Sequence, residues 1–266
     1  MKDKILIFLS LFLLVISCSK KINKPGFIEF QNNSDSLFVL AKNDYFCPIY
    51  VKVEDSKLDG TNYKQLTGKS SKSILSFKNS EIDTLEILNR YKFSGYYGEY
   101  PFKGIGSFKY KLPFQKGRKT MIIQGYDGDF SHKGDFSAKC LDFDLNVGDT
   151  IVATADGIVI KVVEKHTKQG VTEDFKNYGN YLMLYHANNT FSQYVHLVQN
   201  GSLVKVGDSV KANQPIGVSG FTGWTTVPHL HFGVYKPTIN GFKSMEVMLD
   251  SIDAKTLRRG DIIIKK

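Results

Sequence analysis

The sequence predicts a mainly β protein: a small N-terminal antiparallel β-sandwich followed by a larger β domain. Three observations carry this. The 266 residues include 19 Phe, 14 Tyr, 23 Gly and only 7 Pro, with many Ile, Val and Thr, a composition that suits strands rather than long helices. Apolar residues recur in short alternating runs cut by turn clusters, without helical periodicity. Finally, Val147-Gly148-Asp149-Thr150-Ile151-Val152-Ala153 is echoed by Val206-Gly207-Asp208-Ser209-Val210-Lys211-Ala212. In each, a glycine able to take positive φ and an Asp able to bond the backbone make a tight turn into a strand. A second glycine-bearing strand follows both copies (Gly157-Ile158-Val159-Ile160 and Pro215-Ile216-Gly217-Val218).

Taken in order, the chain opens with Met1, Lys2, Asp3 and Lys4, then an apolar run from Ile5 to Ile16 broken only by Ser10. That run is shorter than the roughly 20 residues a spanning helix needs, and a basic start with a small residue at its end describes an export signal over residues 1–17. Val15-Ile16-Ser17-Cys18 resembles the bacterial lipobox. The resemblance implies cleavage before Cys18, lipidation of its thiol, and an exported protein anchored by lipid to the bacterial cell envelope. Several acyl chains hold a protein to a membrane far better than one.

Residues 18–26, polar and basic, form a tether closed by Pro25-Gly26. Residues 27–112 form the sandwich, with strands expected at Phe27–Phe30, Leu37–Ala41, Ile49–Val53, Ile74–Phe77 and Leu85–Leu88. Nothing there suggests catalysis, since the first histidine of the chain is His132. Residues 113–250 hold all six histidines and form the second domain, and residues 251–266 are a C-terminal tail. Cys47 and Cys140 remain as thiols whose pairing sequence alone does not fix.

Hydrophobic residues at 42% and charged residues at 23% exclude a disordered chain and a disulfide-stapled miniprotein. The net charge of +9 favours anionic surroundings. However, no basic stripe interleaved with aromatics marks a nucleic-acid binder, and no nucleic-acid partner is expected.

The sharpest local signal is Pro228-His229-Leu230-His231-Phe232. Residues i and i+2 of a strand face one side, so His229 and His231 project together. His132 lies in a glycine-rich loop with no packing reason to hold an imidazole. Asp142 and His196 each sit in alternating stretches. Three protein ligands of His/His/Asp type with one open position are what a catalytic zinc requires, and further imidazoles nearby would supply proton transfer and transition-state hydrogen bonding.

The Gly-Asp repeat resembles the half-motif of barrel-sandwich hybrid folds. A swinging-arm carrier of that class needs a Lys at the tip of a short apolar hairpin, and neither half has one. From about Leu112 to Tyr235 the sequence resembles the lysostaphin/LytM-type zinc endopeptidases, a duplicated-hybrid-motif family acting on bacterial cell walls. The resemblance runs through Gln124-Gly125-Tyr126, His132, Asp142-Phe143, Ala155-Asp156-Gly157, Tyr194-Val195-His196-Leu197, Gly217-Val218-Ser219-Gly220 with Thr222-Gly223, and Pro228-His229-Leu230-His231-Phe232. It implies Zn2+ held by His132, Asp142 and His231, with His196 and His229 as the catalytic pair. It also implies hydrolysis of stem or cross-bridge peptides of peptidoglycan by an activated water.

The stretch from His132 to Asp142 is longer than the family's compact form, which leaves Asp135 and Asp144 as rival ligands. Asp142 is preferred for its distance to Gly148. Cys140 is set aside because a thiolate would make the site structural. Trp224 either walls a substrate groove or covers the core edge; His186 is expected to be structural and His166 a solvated loop residue. Two other readings stay open: a non-catalytic member that binds the wall or activates a hydrolase, and a peptidase acting on exported proteins.

Overall fold

The structure, a computed structural model, describes residues 25–79, 81–104 and 108–266. The expected export segment and Cys18 lie outside the described residues. The first domain contains β1 (Ile28–Asn32), β2 (Ser36–Asn43), β3 (Ile49–Asp55), β4 (Thr61–Leu66), β5 (Ser70–Lys78), α1 (Thr84–Arg90) and β6 (Tyr91–Tyr97). Two antiparallel three-stranded sheets form, ordered β1-β2-β5 and β4-β3-β6. Alternation places Leu37, Val39 and Ala41 of β2 inward, facing Ile49, Val51 and Val53 of β3 across one core. Each of the buried Leu, Val and Ile side chains contributes about 1.5–3 kcal/mol by leaving water.

The strand expected at Leu85–Leu88 is instead α1. The Asp83 carboxylate accepts a hydrogen bond from Glu86 N at 2.8 Å, capping the first turn, and only Ile87 of the helix is buried. An acidic cap three residues before a glutamate outweighs a short apolar run. β4 went unanticipated because this edge strand buries only Leu66 and so carries no apolar alternation.

The second domain holds β7 (Lys119–Gln124), α2 (Gly134–Ser137), β8 (Cys140–Phe143), β9 (Thr150–Val152), β10 (Gly157–Val163), β11 (Gln169–Gly170), β12 (Tyr181–Tyr185) and β13 (Phe191–Val195). It continues with β14 (Leu197–Ser202), β15 (Ser209–Val210), β16 (Pro215–Ser219), β17 (Gly223–Trp224), β18 (Leu230–Thr238) and β19 (Gly241–Ser244). β20 (Met248–Leu249), β21 (Ile252–Asp253) and β22 (Ile262–Ile264) close the chain. A large sheet runs β15-β10-β12-β13-β18-β8-β7-β22, with β19 beside β18, and a smaller one runs β14-β16-β9. Phe143, Ile151, Tyr194, Leu197, Ile216 and Phe232 are fully or almost fully buried in the core they share. The C-terminal residues therefore supply an edge strand, since Ile263 pairs with Thr120.

The repeated turns match atom for atom. Gly148 and Gly207 have φ of +97° and +99°. Asp149 N donates to Asn146 O at 3.1 Å and Asp208 N to Lys205 O at 3.0 Å. The Asp carboxylates accept from Asn146 N at 2.6 Å and Lys205 N at 2.8 Å. Arg258-Arg259-Gly260-Asp261 makes a third copy, with Gly260 at φ +94° and Asp261 accepting from Arg258 N at 2.7 Å.

The two domains share an apolar cluster in which Cys47 and Tyr97 meet Phe191, Tyr235 and Phe242. Asn189 and Glu99 exchange hydrogen bonds at 2.8 and 2.9 Å, and Tyr50 Oη donates to Thr238 O. Cys47 and Cys140 are both free thiols, buried in this cluster.

His186 is structural, as expected: its ring nitrogens bond Asp156 O and Ser192 Oγ, both at 2.8 Å. Burial pushes its pKa from 6.5 down to about 4. Between those values the unfolded chain takes a proton that the folded chain refuses. Its contribution is thus whole above pH 6.5 and is lost as pH falls toward 4, by roughly 3 kcal/mol. Urea unfolding at pH 7 and pH 4.5 should show His186→Gln losing less stability over that interval than the wild type. Equal losses would remove His186 from the acid response.

Candidate metal centre

Four neighbouring strands bring one row of side chains together. Gln124 of β7 stands opposite Asp142 of β8, Asp142 opposite His231 of β18, and His231 opposite Val195 of β13. Residues directly opposite in antiparallel strands share a face, so register alone sets Asp142 beside His231. The third ligand comes from the loop after β7, where His132 is only 1% exposed.

His132 Nε2, Asp142 Oδ1 and His231 Nδ1 form a tight triangle. The sides are 3.2 Å from His132 to Asp142, 3.2 Å from His132 to His231 and 2.8 Å from His231 to Asp142. Two nitrogens bound tetrahedrally to one zinc at about 2.05 Å would stand roughly 3.3 Å apart. The observed spacing therefore fits the ion with little movement. His132 Nδ1 lies 2.7 Å from Gly125 O. A carbonyl only accepts, so Nδ1 carries the proton and Nε2 presents its lone pair inward. Burial alone would favour a neutral Asp142, but His229, His132 and His231 around it hold its carboxyl well below the usual range. An ionised carboxylate and inward-facing imidazole nitrogens suit a borderline cation such as Zn2+.

Neither rival carboxylate takes part. Asp144 is exposed, and Asp135 is exposed and paired with Lys243 at 2.8 Å. Cys140 Sγ instead approaches Tyr235 Oη at 3.4 Å and Phe136 O at 3.8 Å.

His196 and His229 lie beside the triangle with ring centroids 4.5 Å apart, and His196 is 6.1 Å from the His231 ring. His196 Nδ1 donates to Thr222 O at 2.6 Å, and His229 Nδ1 to Val227 O at 2.9 Å. His229 Nε2 is 3.6 Å from Asp142 Oδ1. Burial first, and then the neighbouring His229 and His231, hold the His196 pKa well below 6.5, so its ring is neutral. His196 has φ of +71° and falls between β13 and β14, so a strand break, not alternation, sets where its ring goes. A Cβ on Gly220 would lie 2.3 Å from Val198 N and 2.8 Å from His196 O. This glycine leaves room for the break. His229 sits one residue ahead of β18, at the strand's mouth.

A groove of about 1020 Å³ passes His196 and His231, walled by Phe130 and Trp224. Those rings stand 5.3 Å apart, and Trp224 Nε1 donates to Val171 O at 3.1 Å. Trp224 therefore walls the groove. His166 also lines it, packed edge-on against Tyr178 at 5.6 Å, so it is half-buried and not the solvated residue expected.

Gln124, which carries no assigned role in the sequence motifs, supports the ligands. Its Nε2 donates to Ser131 Oγ at 3.0 Å and Asp142 Oδ2 at 3.3 Å, and its Oε1 accepts from Phe130 N at 3.2 Å. It thereby turns Asp142 Oδ1 toward the histidines and ties down the loop carrying His132. Gln124→Ala is expected to weaken zinc binding by about 10–100-fold while the chain stays folded. Zinc competition titration checks this, and unchanged affinity would leave Gln124 a loop residue only.

The Peptidase family M23 model matches residues 137–245, which include Asp142, His196, His229 and His231 and begin just after His132. The peptidoglycan DD-endopeptidase ShyA of Vibrio cholerae is 30% identical over 191 residues, 67% of this chain and 41% of that protein. Lysostaphin of Staphylococcus simulans is 41% identical over 95 residues, 35% of this chain and 17% of that protein. Among solved structures, the catalytic domain of the prophage-encoded M23 protein EnpA from Enterococcus faecalis is 26% identical with a TM-score of 0.38. It covers 50% of this chain and 92% of that one. The chain spans less than half the length of the curated relatives it matches. The chain thus carries a peptidase family M23 domain, homologous to the lysostaphin-type endopeptidases.

Proposed function

We propose that this protein is a zinc metalloendopeptidase that hydrolyses peptide bonds of bacterial peptidoglycan, exported and held at the cell envelope by lipid on Cys18. The observation that carries the catalytic reading is the ligand triangle of 2.8–3.2 Å beside two imidazoles whose Nδ1 atoms are each tied to a backbone carbonyl. ShyA, a peptidoglycan DD-endopeptidase by name, supports the substrate class. The Val15-Ile16-Ser17-Cys18 motif supports the anchor.

His132, Asp142 and His231 would hold the ion. Bound zinc supplies a Lewis acid that makes water a nucleophile near neutral pH and polarises a carbonyl. The rest falls to the chain. Thr222 O and Val227 O fix Nδ1–H on His196 and His229, so in the neutral rings both Nε2 atoms are proton acceptors. The imidazole that takes the attacking water's proton acquires an Nε2–H, able to donate to a developing oxyanion or the departing amine. One ring accepts the proton; the other steadies the tetrahedral charge once its own Nε2 carries a proton. The nucleophile is the activated water, so no covalent acyl-enzyme is expected. The groove walls, Phe130 and Trp224, exclude water around the peptide.

Incubation of purified sacculi and of casein with the zinc-loaded protein, with and without chelator, tests this. Soluble muropeptide release that stops with chelator and returns with zinc is expected. Release that survives chelation overturns the metal-dependent mechanism. Casein cleavage without muropeptide release would move the substrate to exported proteins, and zinc binding without any cleavage would make the protein a non-catalytic member.

A further inference from the structure

We propose that Arg259 is a specificity-determining residue that binds a free carboxylate of the substrate beside the scissile bond. The inference rests on the peptidase reading and deepens it. Arg259 lies in the C-terminal segment, beyond the matched family domain. It occupies the second position of the third Gly-Asp turn, and its counterparts Val147 and Val206 are 54% and 47% exposed at the same place. The turn therefore aims this side chain out of the core.

Its backbone is nonetheless fixed. Gly260 N donates to Ile122 O and Ile122 N to Asp261 O, both at 2.9 Å. Leu257 anchors the segment in the core at 5% exposure. Arg258 spends its guanidinium on Lys255 O and Leu257 O. Arg259, in contrast, has no ion pair or hydrogen-bond partner among the described residues.

Arg259 lines a cavity of about 190 Å³ together with Gln124, Asp142, His196, Val227 and His229. A guanidinium is always charged and offers a planar fork that matches a carboxylate. The carboxylate of Asp142, the other charge in that lining, is already committed to His132 and His231. A cavity this small, sharing its wall with both imidazoles, reaches only the residue next to the bond being cut. The larger groove on the other side adds Lys133, Lys161 and Lys165, also unpaired among the described residues. An acidic peptide answers these charges and a neutral one does not.

Three cross-linked peptides test the assignment: one with all carboxylates free, one with the side-chain carboxylate beside the scissile bond amidated, and one with the adjacent chain terminus amidated. The wild type should lose roughly tenfold in kcat/KM, mainly through KM, on whichever amide removes the carboxylate that Arg259 holds. In Arg259→Gln the ratio of acid to that amide should fall to about one, while Arg259→Lys keeps part of it. In a His196→Ala background, Arg259→Gln should weaken binding of the free acid by a similar factor, read by calorimetry. Equal cleavage of all three by the wild type, or a ratio unchanged in Arg259→Gln, overturns the carboxylate anchor and leaves the peptidase intact. No cleavage of any of them by the zinc-loaded wild type, with equal binding of acid and amide, overturns both.

Discussion

His231→Ala is expected to abolish zinc retention and to lower kcat/KM by more than about 10³-fold. The Lewis-acid role of a catalytic ion supplies several kcal/mol of transition-state stabilisation, and each 1.36 kcal/mol is tenfold in rate. His231 is the corner of the triangle closest to Asp142, at 2.8 Å, and its removal leaves only His132 and Asp142, 3.2 Å apart, as ligands. Two ligands from a loop and a strand do not enclose an ion. The fold should survive, because β18 stays paired to β8 and β13 through Leu230, Phe232 and Gly233. Metal analysis, circular dichroism and muropeptide hydrolysis measure the three parts separately. A variant that keeps stoichiometric zinc and wild-type turnover would sink the ligand assignment.

His196→Ala and His229→Ala should each cost about 10²–10⁴-fold in kcat while zinc content stays at the wild-type level. Neither ring is a corner of the ligand triangle, and each is oriented by a backbone carbonyl at 2.6 and 2.9 Å, not by a ligand side chain. The pair at 4.5 Å works as a unit, so the double variant should cost little more than the worse single one. Loss of zinc in either variant would turn that histidine into a ligand. Full additivity would show that the two act independently.

Much of this centre is legible in the amino-acid sequence. Asp142 and His231 sit in alternating stretches whose neighbours Leu141, Phe143, Leu230 and Phe232 are buried, so one face of each strand was necessarily polar. The Gly-Asp turns at 148–149 and 207–208 were visible because positive φ and a bonding Asp side chain leave a residue signature. The third copy, at 260–261, carries the same signature and would have placed Arg259 on an outward turn instead of in an undescribed tail. α1 was misread because a short run such as Leu85–Leu88 suits either structure and its cap decides.

By itself the sequence determined the β character and the turn positions, since these follow from local steric preference; the expected zinc ligands came from the resemblance of its motifs to a family. Only the tertiary structure decided three things. It set Asp142 opposite His231 and Gln124 opposite Asp142, because strand pairing across some 90 residues is a property of the whole sheet. It aimed His196 through a strand break at φ +71° that Gly220 and Thr222 accommodate. And it carried Arg259 from the chain's end to the same cavity, because the last strand closes the edge of the sheet that bears the metal site.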